Sequence, residues 1–185
     1  MTTTRTQDAY DRILQEDPER RWELHDGLLR EKPPLSFGHN RFTTLLTAQL
    51  LRQIDLQRFD VRFGLGHVYR PMESYYIPDI FVVDHPPRTV PRNAAVDTRD
   101  VYRDPVLLVV EIWSPPTGSY DVDMKLPEYR ARGDREIWRL HPYDRTLTVW
   151  RRQDDGSYAE TVYHHGTLTP IAFSDVTIDL DALFA

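Results

Sequence analysis

The spacing of hydrophobic residues near the start of the chain predicts a short helix. Tyr10, Ile13 and Leu14 fall on one helical face. We expect this helix to end near Asp17, because Pro18 restricts the residue before it.

Two further elements follow in the pattern. The segment RRWELHDGLLRE predicts a β-hairpin with Asp26-Gly27 as its turn, which places Glu23 in a strand. A longer helix is predicted from about Ser36 to Asp55, with Ser36 as its cap and His39 in its first turn. Its apolar face consists of Phe42, Leu45, Leu46, Leu50 and Ile54.

From Phe59 the apolar period changes to two, which predicts a strand over FDVRF and another that begins at Ile77 or Asp79 and runs through IFVV. The proline-rich and charged segment HPPRTVPRNAAVDTRDVYRDP is typical of a surface loop. The run PVLLVVEIW is nearly continuously apolar, as in a strand buried on both faces. We expect it at the centre of the sheet.

The segment after this strand predicts a helix capped by Ser119 or Asp121 and ended by Gly133. Because Pro127 does not fit inside a helix, either the regular helix starts just before it or the first turn is bent there. Four strands then form a meander over REIWRL, RTLTVWRR, SYAETVYH and DVTIDL. Mixed helices and strands with an antiparallel tail indicate one α/β (mixed α+β) domain over residues 1–185.

Composition narrows the function classes. The chain has no cysteine, so a bound metal must be held by oxygen or imidazole, and carboxylates favour a hard cation such as Mg²⁺. A net charge of -6 argues against nonspecific coating of nucleic acid. No stretch suits a signal peptide or a membrane span, so we expect a cytoplasmic protein with no membrane partner. Of 23 basic residues only Lys32 and Lys125 are lysine, which reflects either codon bias or a need for a compact ammonium group.

Glu111 interrupts the most apolar strand, and a lone buried carboxylate is costly unless a cation or hydrogen-bond donors meet it. If the strand beginning near Asp79 pairs with it, the two carboxylates lie side by side, and a divalent ion relieves their repulsion. Lys125 follows 14 positions later. Beside a metal it orients the attacking water and stabilises a phosphorane, whereas by spacing alone it makes an ordinary ion pair with Glu111.

Several segments together resemble the Uma2 family, also called DUF820, a bacterial group to which endonuclease activity is ascribed. The matching segments are WELHDGLL, the helix containing His39, IPDIFVVD, PVLLVVEIWSPPT, YDVDMKLPEYRARGDREIW and IDLDALF. The resemblance implies a PD-(D/E)xK restriction-endonuclease-like core, with a central mixed sheet flanked by helices, an N-terminal hairpin and a C-terminal antiparallel meander.

The same resemblance implies a set of site residues. Asp79 and Glu111 correspond to the metal ligands, with the backbone carbonyl of Ile112 as a third, and the metal is Mg²⁺ with Mn²⁺ as a substitute. The usual nuclease lysine position holds Trp113 here. The resemblance instead places the family's catalytic lysine on the following helix, where it corresponds to Lys125.

Glu23 matches the glutamate of the family hairpin and is either a further ligand or orienting base, or a partner of Arg21 or Arg30 in a surface pair. Asp121 is a helix cap or an orienter of Lys125, and Tyr129 either lines the site or packs in the core. The residues that we expect to support the site are His39, Asp121 and Tyr129.

The resulting hypothesis is a Mg²⁺-dependent phosphodiesterase that acts on DNA as an endonuclease. Two alternatives remain at this point: an inactive nuclease-fold module for binding or assembly, and an RNA nuclease. A homodimer is expected, because two sites related by a two-fold axis suit cleavage of both strands of a duplex.

Overall fold

The structure is a computed structural model that describes residues 10, 12–13, 16–17, 20–70, 74–84 and 101–185. Its strands are β1 (Trp22–His25), β2 (Leu28–Glu31), β3 (Phe59–Phe63), β4 (His67–Arg70), β5 (Ser74–Tyr76), β6 (Ile80–Asp84), β7 (Val101–Tyr102), β8 (Leu108–Ile112), β9 (Glu136–His141), β10 (Thr146–Arg152), β11 (Tyr158–Tyr163), β12 (Thr167–Leu168) and β13 (Ile178–Asp179). Its helices are α1 (Phe37–Leu51), α2 (Gly118–Tyr120), a π-helical turn (Asp121–Lys125), α3 (Leu126–Arg132) and α4 (Leu180–Phe184).

A six-stranded mixed sheet forms the centre of the fold, in the order β11-β10-β9-β8-β6-β3. Strands β8 and β9 are parallel, and the other neighbours are antiparallel. Every residue of β8 is buried. The expectation that the apolar run lies inside the sheet is therefore confirmed.

Side-chain alternation along β8 separates two cores. Leu108, Val110 and Ile112 pack with α1 and α4 on one face. Val109 packs on the other face with α3 and the second sheet. Because successive strand residues point to opposite faces, Glu111 points toward α3.

The second sheet has the order β2-β1-β5-β4-β7 and carries the predicted hairpin, with Glu23 in β1. Strand β7 corrects the expectation of a continuous surface loop before β8, because its half-buried Val101 and Tyr102 pair in parallel with β4. Residues 85–100 of that segment lie outside the described residues.

Helix α1 begins as predicted, with Ser36 Oγ accepting from the backbone N–H of His39. It ends at Leu51 rather than at Asp55. The carbonyl of Leu50 accepts from the N–H groups of both Gln53 and Ile54, which tightens the last turn. The buried Ile54 then packs against the core.

The helical segment after β8 begins earlier than the sequence pattern indicates. Neither Ser119 nor Asp121 is its cap, because α2 already starts at Gly118 and Asp121 lies in the π-helical turn. Pro127 has no N–H for an ordinary helical bond, and it lies in the first turn of α3 just after the π-helical turn. Gly133 ends the helix with φ +80°, as predicted.

The ends of the chain bear out the predictions in part. Tyr10, Arg12, Ile13 and Glu16 are helical, and Leu14 and Pro18 lie outside the described residues. Strands β9, β10 and β11 form the predicted meander, but β13 leaves it and pairs with β12. No helix in the described ranges is long and apolar enough to cross a membrane.

Replacement of Gly118 tests how closely α2 approaches β8. A Cβ at this position would lie 2.0 Å from the indole Nε1 of Trp113, and the rigid ring cannot yield cheaply. We expect Gly118→Ala to lower the free energy of unfolding by about 1–3 kcal/mol, measured by urea denaturation. Gly38→Ala is the matched control, because its Cβ would meet only the hydroxyl of Tyr143 at 3.7 Å. Equal effects of the two changes would contradict the packing argument.

Asp134 follows α3 and connects it by hydrogen bonds to the segment just before β8. The pH dependence of stability tests this contact. The fully buried side chain of Asp134 accepts from the backbone N–H of Val106 at 2.8 Å and from Arg132 Nε at 3.2 Å. Burial raises the pKa of Asp134 to about 6, against the opposing charge of Arg132. The folded protein therefore holds this proton more tightly than the unfolded chain does, since the unfolded pKa is about 3.9.

The contribution of Asp134 to stability is thus complete below about pH 4 and is lost as the pH rises through about 6. The unfolding free energy of Asp134→Asn minus that of wild type should therefore rise by up to about 3 kcal/mol as the pH increases from about 4 to about 7. Denaturation across this range measures the difference. The exposed change Asp154→Asn serves as control, and a pH-independent difference for Asp134→Asn would overturn the assignment.

Candidate active site

The pairing of β6 with β8 assembles the site. Ile80 lies opposite Val110 in antiparallel register, so Asp79, just before β6, reaches the end of β8. Asp79 Oδ2 accepts from the backbone N–H of Ile112 at 2.8 Å. The expectation that these two strands pair and bring Asp79 near Glu111 is confirmed.

Lys125 lies at the centre of a buried group of carboxylates. Its Nζ is 2.9 Å from Glu23 Oε1, 3.1 Å from Glu111 Oε1 and 3.4 Å from Asp121 Oδ1. All four side chains are at least nine-tenths buried. Glu23 comes from the hairpin, Glu111 from β8, and Asp121 with Lys125 from the π-helical turn, so three separate elements meet here.

Asp79 is enclosed by a second set of donors. Its Oδ1 accepts from Lys32 Nζ at 2.7 Å, and its Oδ2 lies 2.8 Å from His39 Nε2. Lys32 also donates to the carbonyl of Ile77 at 2.6 Å. The sequence argument singled out Lys32 as one of two lysines but did not place it in the site, because no motif or period marks the irregular segment between β2 and α1.

The structure decides three of the open alternatives. Glu23 is buried and accepts from the backbone N–H of Ile77 at 3.0 Å, so the alternative of a surface pair with Arg21 or Arg30 is wrong. Asp121 contacts Lys125 and is not the N-cap of the helical segment. Both alternatives hold for Tyr129, because its ring packs in the core and its hydroxyl donates to Glu111 Oε1 at 2.5 Å.

Comparison with known proteins bears on this arrangement. The Uma2 family model, described as "Putative restriction endonuclease", matches residues 7–181. The chain belongs to the Uma2 family. A search of curated proteins gives no match.

The Uma2 chain also resembles a solved structure described as a putative nuclease belonging to DUF820 from Anabaena variabilis ATCC 29413. The two share 19% sequence identity with a TM-score of 0.72, and the match covers 90% of each chain. At this identity the likeness shows the fold alone. The predicted family and the mixed α+β nuclease-like fold are both confirmed.

In this Uma2 member the pKa values of the two central carboxyl groups, Asp79 and Glu111, are shifted in opposite directions. Although burial opposes ionisation of Asp79, Lys32 and the hydrogen bond from His39 hold the pKa of Asp79 well below its usual range. Burial raises the pKa of Glu111 to about 8, against the charge of Lys125. Asp79 is thus fixed as an anion, whereas Glu111 is able to hold a proton near neutral pH.

Lys125 and Tyr129 are shifted in the same sense. Burial disfavours the charged form of Lys125, but Glu111, Glu23 and other carboxylates raise its pKa well above the ordinary value. Burial and the nearby Glu111 raise the pKa of the Tyr129 phenol well above its usual range. Lys125 is therefore a permanent cation and Tyr129 a permanent hydrogen-bond donor.

The donor set fits a hard divalent cation in its chemistry. Four buried carboxylates face two ammonium groups, so negative charge is in excess, and carboxylate oxygens are the ligands that Mg²⁺ prefers. Within the described ranges, however, no three acidic or histidine side chains surround a single metal-sized point. The lysines lie between the carboxylates. The backbone N–H of Ile112 is committed to Asp79, and its carbonyl as a ligand stays a prediction.

A double-mutant cycle tests the compensation of Asp79 by Lys32. Lys32→Met leaves a buried carboxylate without its cation and should lower the free energy of unfolding by about 3–5 kcal/mol at neutral pH. The same change in an Asp79→Asn background should cost markedly less, because no unpaired anion remains. Urea denaturation of the four proteins measures the coupling. An equal cost in both backgrounds would show that the pair carries no specific interaction.

Proposed function

We propose that this chain is a metal-dependent nuclease that hydrolyses phosphodiester bonds, with DNA as its substrate. The convergence of Glu23, Glu111 and Asp121 on Lys125, beside Asp79, is the observation that carries the proposal. Membership of a family described as "Putative restriction endonuclease" supports it. A buried acidic cluster with one committed ammonium suits a reaction in which negative charge develops on a phosphoryl group.

In this proposal Asp79, Glu111 and the carbonyl of Ile112 hold Mg²⁺, with Mn²⁺ as a substitute. The ion, when bound, polarises the phosphodiester and lowers the pKa of water. Asp79 is already ionised and oriented by Lys32 and His39, so it needs no proton loss to bind a cation. Tyr129 fixes the orientation of Glu111.

Lys125 stabilises the phosphoryl oxygens through its positive charge as their negative charge increases, since its N–H groups already face three carboxylates. Glu23 and Asp121 position its ammonium from two sides. Glu23 is itself oriented by the N–H of Ile77, so it serves as an orienting group and additional acceptor. The site thus separates anion-holding residues from one charge-stabilising residue.

A binding or assembly module without catalysis is the second candidate. Both oxygens of Asp79 are engaged by donors of the chain, and the lysines already compensate part of the acidic charge. Such a cluster is able to exist without any metal. The net charge of -6 and Trp113 at the usual lysine position fit this alternative as well.

Two further parts of the proposal are the type of nucleic acid and the assembly, for which we propose a homodimer. RNA shares the phosphodiester chemistry, and DNA is favoured because the sequence has no aromatic-basic platform of the kind that binds single-stranded RNA. A two-fold dimer places two sites on opposite strands of a duplex.

Neutral isosteres of the two central carboxylates test the nuclease proposal. Asp79→Asn and Glu111→Gln should each lower the rate of plasmid DNA cleavage in Mg²⁺ by at least about 100-fold, because each replaces a carboxyl ligand, which becomes a carboxylate when the ion binds, with a neutral amide. Circular dichroism should show an unchanged fold. Asp154→Asn, an equivalent change at an exposed turn, should cleave as wild type does.

Calorimetric titration with Mg²⁺ separates chemistry from binding. Wild type should bind the ion and Glu111→Gln should lose most of that heat. Cleavage by both variants at the wild-type rate would eliminate these residues from the reaction. Absence of metal binding and of cleavage in the wild-type protein would favour the binding module.

A further inference from the structure

Arg139 is a positively charged residue beside the site that the nuclease proposal does not use. It lies on β9 directly opposite Glu111 of β8 in parallel register. Paired residues of adjacent strands point to the same face, so Arg139 and Glu111 both face α3. Both also line a small cavity of about 10 Å³, the size of one water molecule, together with Asp121 and Tyr129, so a larger ligand has to meet Arg139 from its solvent side.

The guanidinium of Arg139 has no partner in the part of the chain that the structure describes. Its Nε is buried and donates no hydrogen bond, although a buried donor normally has an acceptor. Four other arginines, by contrast, have partners: Arg30 lies over the Tyr120 ring, Arg70 pairs with Glu128, Arg132 with Asp134 and Arg151 with Glu136. Arg139 therefore has its donors available for a ligand.

We propose that Arg139 forms a subsite for a phosphate of the nucleic acid backbone, next to the carboxylate cluster. The proposal rests on the nuclease function and adds a substrate-binding residue to it. An arginine fork matches phosphate oxygens in a bidentate manner. Arg139 is partly exposed and only its Nε is among the buried unpartnered donors, so a phosphate that approaches from solvent meets the terminal nitrogens of the guanidinium.

Charge explains why such a residue is needed. The cluster holds more carboxylates than ammonium groups, so it repels a phosphodiester that approaches it. Lys32 and Lys125 are bound to those carboxylates and contribute little attraction at the surface. Arg139 supplies an uncommitted positive charge at the same level of the sheet.

The neighbouring surface favours a nucleic acid over a small phosphate compound. Trp113 and His141 follow Glu111 and Arg139 on the same face, and their rings lie 4.2 Å apart. The exposed Tyr143 packs edge-on against Trp113 at 5.6 Å. Arginine and tyrosine side chains contact the phosphates and sugars of a duplex, so these neighbours extend the surface along the nucleic acid backbone on either side of the bound phosphate.

Duplex binding measures the role of Arg139 independently of cleavage. The probe is a fluorescein-labelled DNA duplex, titrated with full-length protein in EDTA and in Ca²⁺ and followed by anisotropy. Arg139→Gln should weaken binding about tenfold and reduce the salt slope by about one, because one phosphate contact is lost. Arg139→Lys should fall between this variant and wild type, since it keeps the charge but not the fork.

Two controls separate this role from a structural one. Arg58→Gln makes the same charge change at the exposed start of β3, at the end of β6 remote from Asp79, and should bind as wild type does. Arg139→Gln should leave the melting temperature unchanged or higher, because no bond within the protein is lost. A lower melting temperature together with weaker binding would assign Arg139 to the fold and overturn the proposal.

The outcomes also distinguish this inference from the nuclease proposal. Binding that depends on Arg139 without any Mg²⁺-dependent cleavage retains the subsite and rejects the nuclease. Cleavage and binding that are both unaffected by Arg139→Gln retain the nuclease and reject the subsite. Wild type that binds no duplex in either EDTA or Ca²⁺ rejects the subsite as well.

Discussion

The mutual compensation of buried charges around Lys125 and Asp79 is the interaction on which the rest of this structure depends. Carboxylates at this depth are tolerated only with cations and hydrogen-bond donors at short range. The chain supplies two ammonium groups, one histidine and two backbone N–H groups for this purpose. Loss of any one partner leaves a charge in a medium that does not solvate it.

This requirement explains why the site draws on so many elements. The hairpin contributes Glu23, the segment before α1 contributes Lys32, and α1 contributes His39. The pairing of β6 with β8 brings Asp79 to the N–H of Ile112, and the π-helical turn directs Lys125 inward. A cluster assembled from distant parts of the chain couples the chemistry of the site to the stability of the whole sheet.

The two faces of β8 differ in polarity, and the site lies on the polar one. One face of the strand is entirely apolar and packs against α1 and α4, which anchors the strand in the larger core. The other face carries Glu111 and, on the neighbouring strand, Arg139. A rigid apolar side thus holds a polar side in place, as expected for a preorganised site on strands rather than on loops. Excess acidic charge suits a cation, and the unpartnered arginine suits an anion that approaches it.

Local patterns determined much of this protein. The hairpin at Asp26-Gly27, the cap at Ser36 and the left-handed Gly133 follow from turn and capping chemistry, which acts over a few residues. The buried position of β8 follows from its continuous apolar run. The approach of Asp79 to Glu111 follows from the pairing of their two strands, and the cost of burying Glu111 without a partner predicts the cation that meets it. The family resemblance assigned Glu23, His39 and Lys125 to one site from the sequence. Their catalytic and metal-binding roles stay predictions.

Tertiary structure decided what depends on contacts between distant segments. Lys32 lies in an irregular segment without a period, so only the folded chain shows that its ammonium meets Asp79. Strand β7 is two residues long and exists because the edge of β4 accepts it. The indole of Trp113 lies against Gly118 at the start of α2, a contact that no local sequence pattern indicates. The isolation of Arg139 is equally invisible in sequence, because whether a charged side chain finds a partner is set by which strands and helices surround it. Sequence specifies local conformation and burial through short-range physics, whereas pairing of charges requires the three-dimensional neighbours.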